Sequence, residues 1–93
     1  MSGATIRLDK WLWHARFVRR RSLAAELVEA GRVRVNGTVV DRPGRAIRTG
    51  DVLTIGVGGR VFLVRVLELG ERRGGPGEAR ALYELLEGSD PRA

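Results

Sequence analysis

Arginine is the residue type whose number and spacing in this 93-residue chain point to chemistry. Arg7 and Lys10 stand three apart, Arg19, Arg20 and Arg21 are consecutive, and Arg32 and Arg34 alternate with valines. Of the seventeen basic side chains sixteen are arginine, and ten of these plus Lys10 fall within residues 1–48. Only Asp9, Glu26, Glu29 and Asp41 oppose them, so that stretch carries +7. The remaining 45 residues hold six basic and seven acidic side chains and carry −1. A guanidinium keeps its charge at any physiological pH and can give two parallel donors to one phosphate. Positive charge gathered on one structural unit is what a polyanion partner requires. The candidate phosphate contacts are Arg7, Lys10, Arg16, Arg19, Arg20, Arg21, Arg32 and Arg34. Ser22, Asn36 and Arg45 are placed at the rim, where a neutral donor can meet a phosphate or a 2′-hydroxyl. Neutralising about six to eight phosphates predicts that log K falls against log salt with a slope of roughly −4 to −7.

Enzyme signatures are missing. The sequence holds no P-loop, no HExxH, no nucleophile–base constellation and no carboxylate pair set apart by its spacing. His14 is the sole histidine, has no evident carboxylate partner and lies among cations, so no catalytic residue is expected. With no cysteine, disulfides and thiolate metal sites are excluded and a reducing compartment suits the chain. No metal, cofactor or small-molecule substrate is expected. No stretch approaches the roughly 20 apolar residues of a membrane span, which points to a soluble, cytoplasmic protein, most simply a monomer.

Those cations must be positioned by local elements, and the hydrophobic pattern predicts which. A 43% hydrophobic content with clear periodicity implies one folded domain over residues 1–93. From Arg7 to about Val18, Leu8, Trp11, Leu12, Ala15 and Val18 follow helical spacing, with Arg7, Lys10, His14 and Phe17 turned away. Ser22 reads as the N-cap of a second helix burying Leu23, Ala24, Leu27 and Val28 and ending at Gly31. Val33 and Val35 then face inward with period two, and Asn36-Gly37 predicts a tight hairpin returning through Val39 and Val40. Leu8, Trp11, Leu12, Leu27, Val33, Val35 and Val39 are expected to hold this platform.

Residues 7–50 thus form the helix pair, the hairpin and a basic loop anchored by Ile47. Residues 51–69 form a second hairpin about Gly58-Gly59, its return strand covered on much of both faces. Residues 70–77 read as a basic, glycine-rich linker, and 78–87 as a helix docking back through Ala79, Leu82, Tyr83 and Leu86. Trp13 and Phe17 either stack on unpaired bases or lie under that helix. Residues 1–5 and 88–93 are expected to be loose. The fold class is α+β: a helix pair on a small, mostly antiparallel twisted sheet, with a short C-terminal helix.

The segment RLDKWLWHARFVRRRSLAAELVEAGRVRVNG closely resembles the S-four RNA-binding domain, or alpha-L motif. The resemblance is carried by Arg7-Leu8-Asp9-Lys10, Arg21-Ser22, Ala25, Gly31-Arg32-Val33 and Val35-Asn36-Gly37. Trp11-Leu12-Trp13, Ala15-Arg16-Phe17 and the block from Glu71 to Glu84 extend it to the small ribosome-associated heat-shock proteins of the heat-shock protein fifteen group. It implies binding of large-subunit ribosomal RNA, with transfer RNA nearby, in rescue or recycling of stalled subunits. The group often carries a lysine-rich extension beyond the position of Glu87, and contacts made by such a tail are not expected here; Arg19-Arg20-Arg21 stands where many members have Lys-Thr-Arg. Two rivals remain: a DNA-binding helix-turn-helix protein and the RNA-guiding module of a modification enzyme. The former would need a base-reading second helix, yet Leu23–Ala30 offers two acids and no Arg, Lys, Asn or Gln.

Overall fold

In the computed structural model, residues 3–89 are described; the expectations for Met1, Ser2 and residues 90–93 lie outside them. Two apolar stripes of opposite period meet and make the core. Leu8, Trp11 and Leu12 of helix α1 (Leu8–His14), with Ala24 and Val28 of α2 (Arg21–Glu29), lie on one face of an antiparallel sheet. From the sheet come Val33 and Val35 of β2 (Val33–Val35), Leu53 and Ile55 of β5 (Val52–Val57), and Val64 and Val66 of β6 (Arg60–Val66). Each is at most 3% exposed, so a leucine or isoleucine here contributes about 1.5–3 kcal/mol by burial. Strand order is β3-β2-β5-β6-β7, with β3 at Thr38–Val40 and β7 at Tyr83–Leu85. All four pairings are antiparallel. The Asn36-Gly37 turn has φ of 50° and 85°, the doubly left-handed hairpin that dipeptide favours.

Both helices stop by the same device. At the end of α2, Gly31 (φ 74°) donates its N–H to Val28 O and Arg32 to Leu27 O, a Schellman motif. At the end of α1, Arg16 (φ 63°) donates to Trp13 O and Phe17 to Leu12 O, the same motif built on a non-glycine residue. The first helix therefore ends at His14 and not near Val18, although Ala15 and Val18 are buried as their spacing predicts.

Other expectations are corrected. Ser22 is not an N-cap: α2 starts two residues earlier than that cap would place it, at Arg21, Arg20 holds the cap position, and no side chain caps it. Leu23 is 39% and Val39 51% exposed, because Leu23 borders a groove and Val39 pairs with Arg34 on the outer face of the sheet. That outer face also carries Val61, exposed, so the second hairpin is covered on one face more than the other. His14 is buried, and the Leu69 carbonyl accepts from its Nδ1 at 3.2 Å.

The C-terminal helix exists but is short and early, α3 at Pro76–Arg80. Beyond it Tyr83–Leu85 extends and pairs with β6, satisfying an edge whose N–H and C=O groups would otherwise face solvent. Ser89 closes back too, its Oγ accepting from Leu63 N at 2.7 Å and donating to Leu63 O at 3.0 Å. Phe17 is roofed by Tyr83 and Phe62, with ring centroids 5.0 and 5.2 Å away. Trp13 lies under Arg73, whose guanidinium carbon sits 5.8 Å from the ring centroid. Arg73 also donates to Trp13 O and Val18 O at 3.1 and 3.2 Å, so the segment expected to be a linker is pinned to the end of α1.

Candidate nucleic-acid interface

The N-terminus of α1 is held by backbone, without a capping side chain. Leu8 N–H donates to Arg45 O at 2.9 Å and Asp9 N–H to Pro43 O at 3.0 Å, satisfying first-turn donors that a helix cannot satisfy itself. The same contact pairs β1 (Ile6–Arg7) with β4 (Ala46–Ile47) in a small second sheet. Residues 43–45 thereby lie against Arg7, and a Cβ added at Gly44 would touch its guanidinium at 3.5 Å.

Asp9 organises the corner where the two helices begin. It is 4% exposed and accepts from Arg7 Nε and Nη2, both at 3.1 Å, and from Lys10 N–H at 2.8 Å. Arg21 Nε lies 3.7 Å away, so one carboxylate joins the start of α1 to the start of α2. Burial pushes this carboxyl up, but the Arg7 hydrogen bonds, the Arg7 and Arg21 charges and the Lys10 N–H outweigh it and hold it below its ordinary value. The same hydrogen bond and charge raise the Arg7 guanidinium. The outward faces of both arginines remain in solvent, their side chains 56% and 44% exposed.

The structure gathers some of the candidate residues and disperses others. Arg7 and Arg21 meet at the Asp9 corner, and the backbone carbonyl of Arg45 holds the start of α1 while its exposed side chain makes only a long 3.3 Å bond to Ala46 O. Arg19 and Arg20 stand exposed on the connection between the helices, and Arg19 shares a groove with Arg32. Ser22 is exposed on the first turn of α2.

Arg34 projects from the outer face of the sheet beside Val39 and Thr54, away from the face that meets the helices. Arg16 turns to Gly74, donating to its carbonyl at 3.0 Å. Lys10 is half-buried and lines a separate cleft with His14, Glu68 and Glu71. The Asn36 amide closes on β5, accepting from Val52 N–H at 2.9 Å and donating to Asp51 at 3.2 Å, so it serves the hairpin and is not free at the rim. Among the described residues, carboxylates pair only with Arg7, Arg21, Arg65 and Arg72; Arg19, Arg20, Arg32 and Arg45 have no internal counter-ion, and neither do the exposed Arg16, Arg34, Arg42, Arg48, Arg60 and Arg80 elsewhere on the surface.

Sequence reasoning passed over Asp9 and Arg73 as functional supports. The signal for Asp9 was an acid set inside a basic run. Arg73 left none, since its partners are backbone carbonyls 55 and 60 residues away.

A helix pair laid on an antiparallel hairpin, with arginines gathered at the joint, defines an S4-type domain, and the S4 domain family model matches residues 6–53. The chain is 43% identical over 84 residues to a heat shock protein 15 homolog of Aeromonas salmonicida, covering 90% of this chain and 63% of that one. It is 36% identical over 85 residues to an RQC P-site tRNA stabilizing factor of Listeria innocua, covering 91% and 90%. The solved trimeric structure of Vibrio cholerae heat shock protein 15 superposes with a TM-score of 0.86 at 36% identity, covering 92% of this chain and 86% of that one. The chain belongs to the S4 domain family and, within it, to the heat shock protein 15 group. It spans about three-fifths of the length of the Aeromonas salmonicida and Escherichia coli relatives.

Proposed function

We propose that this protein is a non-enzymatic RNA-binding factor. In this reading it docks on ribosomal RNA of the large subunit, in contact with transfer RNA, during rescue or recycling of stalled subunits. It acts in the cytoplasm as a monomer, and RNA is its partner, with no membrane and no small-molecule substrate. No helix among the described residues is long and apolar enough to cross a membrane. The observation that carries the reading is the exposed set Arg19, Arg20, Arg32 and Arg45, without internal counter-ions, in which Arg19 and Arg20 run directly into the Asp9-oriented Arg21.

Phosphates supply the missing counter-charge, and held guanidinium groups lose less rotamer freedom when they meet it. The exposed positions of α2 include Glu26 and Glu29, which repel the duplex backbone, so the helix-turn-helix reading gains no support. The name of the Listeria innocua relative, RQC P-site tRNA stabilizing factor, favours a target at ribosome-bound tRNA.

The test is co-sedimentation of the full chain with purified large subunits, with and without P-site tRNA, for the wild type and the Arg19→Glu/Arg20→Glu double variant. Arg21 is left alone, because a glutamate there would face the buried Asp9. The wild type should travel with the subunits, more so when tRNA is present. The double variant should bind more than tenfold more weakly, with its salt slope reduced by about 1.5 to 2. Equal co-sedimentation of the two proteins would exclude the reading.

A further inference from the structure

Between α2 and the end of β5 the core opens to solvent through a groove of about 450 Å³. Phe17, Leu27 and Val57 are the partly buried apolar side chains lining it, and the exposed Leu23 borders it. The charged side chains at this apolar slot are Arg19, Arg32 and Glu26, and none of the three has an ion-pair partner among the described residues. A single exposed leucine is ordinary on a protein surface. An open apolar slot with two free cations at its border is not.

We propose that this groove receives one unpaired RNA base, extruded from the strand whose backbone lies on the cationic surface; the proposal rests on the RNA-binding reading above. The charges choose this occupant. Two guanidinium groups beside one apolar slot match the two phosphates that flank a nucleotide, with the base between them on apolar carbon. A second copy of the chain or an apolar protein segment would instead bury Arg19 and Arg32 unpaired, which is costly. Glu26 repels phosphate, so its use is toward the base. Its two carboxylate oxygens can accept from the adjacent N1–H and N2–H of guanine, whereas uracil offers one N–H between two carbonyl acceptors that the carboxylate repels. The groove therefore favours guanine over uracil.

The test uses the full chain and three hairpin RNAs of one sequence: fully paired, with one bulged guanosine, and with one bulged uridine. Affinities are measured by filter binding for the wild type, Leu23→Ser, Ala30→Leu and Glu26→Gln, each checked for folding by urea unfolding. Ala30 is exposed and lines the groove, so leucine there narrows the slot from the solvent side if Leu23→Ser proves unstable.

The bulged guanosine should bind the wild type about tenfold more tightly than the paired hairpin, towards the lower end of what one stacked base contributes. Leu23→Ser and Ala30→Leu should erase that advantage and leave the paired-hairpin affinity unchanged. Glu26→Gln should level guanosine with uridine. Equal binding of bulged and paired hairpins by the wild type overturns the proposal while the RNA-binding reading stands. So does an advantage that survives both groove variants, or groove variants whose main effect is to dissolve a self-association seen in sedimentation. Failure to bind any of the three RNAs overturns both.

Discussion

Replacing Arg16 by alanine and, separately, by glycine separates backbone strain from side-chain contact at the end of α1. Arg16 sits at φ 63°, where an L-residue pays about 1–2 kcal/mol relative to glycine. Against this it donates one hydrogen bond, to Gly74 O at 3.0 Å, contributing about 0.5–1.5 kcal/mol. Arg16→Ala loses the bond and keeps the strain, so it should be less stable than wild type by about 1 kcal/mol. Arg16→Gly loses the same bond and relieves the strain, at a cost of about 0.5–1 kcal/mol in unfolded-chain entropy. The glycine variant should therefore lie near wild type and be more stable than the alanine variant by about 0.5–1 kcal/mol. Urea unfolding reads this as a midpoint higher by roughly 0.5 M at unchanged slope, and thermal unfolding as a Tm higher by about 2–8 °C. Both variants remove the same charge, so their salt slopes for RNA should agree with each other. An alanine variant as stable as the glycine variant would refute the Schellman reading of this helix end.

Asp9→Asn should destabilise the protein by about 1–2 kcal/mol at neutral pH, because it removes the charge that joins the two helix starts while both arginine partners stay half exposed and screened. Asp9 titrates below its unfolded value, so its contribution is present above the ordinary carboxylate range and lost as pH falls through the lower folded value. The gap between wild type and Asp9→Asn should accordingly close below about pH 4 in urea unfolding, and a gap that widens there would contradict the assignment. Arg73→Ala removes hydrogen bonds to Trp13 O in the last turn of α1 and to Val18 O in the connection beyond it, and the contact over Trp13; a loss of about 2 kcal/mol is expected, with faster amide exchange in residues 70–77 and around Trp13. Exchange unchanged in that segment would show that it is held by something else.

Where a structural signal was local, the sequence was enough. Alternation in Val33–Val35, the Asn36-Gly37 turn, the Gly31 stop and the i, i+3, i+4 stripe of Leu8, Trp11 and Leu12 each fix a few neighbouring dihedrals or one buried face. The structure returns all of them. Helix ends were less legible where the stop used an unexpected residue. Arg16 in a left-handed conformation leaves no mark like a glycine, and Ser22 reads as a cap although backbone geometry starts α2 at Arg21.

The last third shows the limit. Ala79, Leu82, Tyr83 and Leu86 have helical spacing, yet Tyr83–Leu85 is a strand, because β6 offers an unpaired edge whose demand exceeds local propensity. Pairing of Ile6–Arg7 with Ala46–Ile47, burial of His14 beside Leu69, and the grip of Arg73 on Trp13 and Val18 all join residues far apart in the chain. The candidate interface divides the same way. The amino acids alone determined that this half of the chain would be cationic and folded as a helix pair with a hairpin. Which arginines stand free was decided by tertiary packing, since only the folded chain brings Asp9 to Arg21, Gly74 to Arg16 and Asp51 to Asn36.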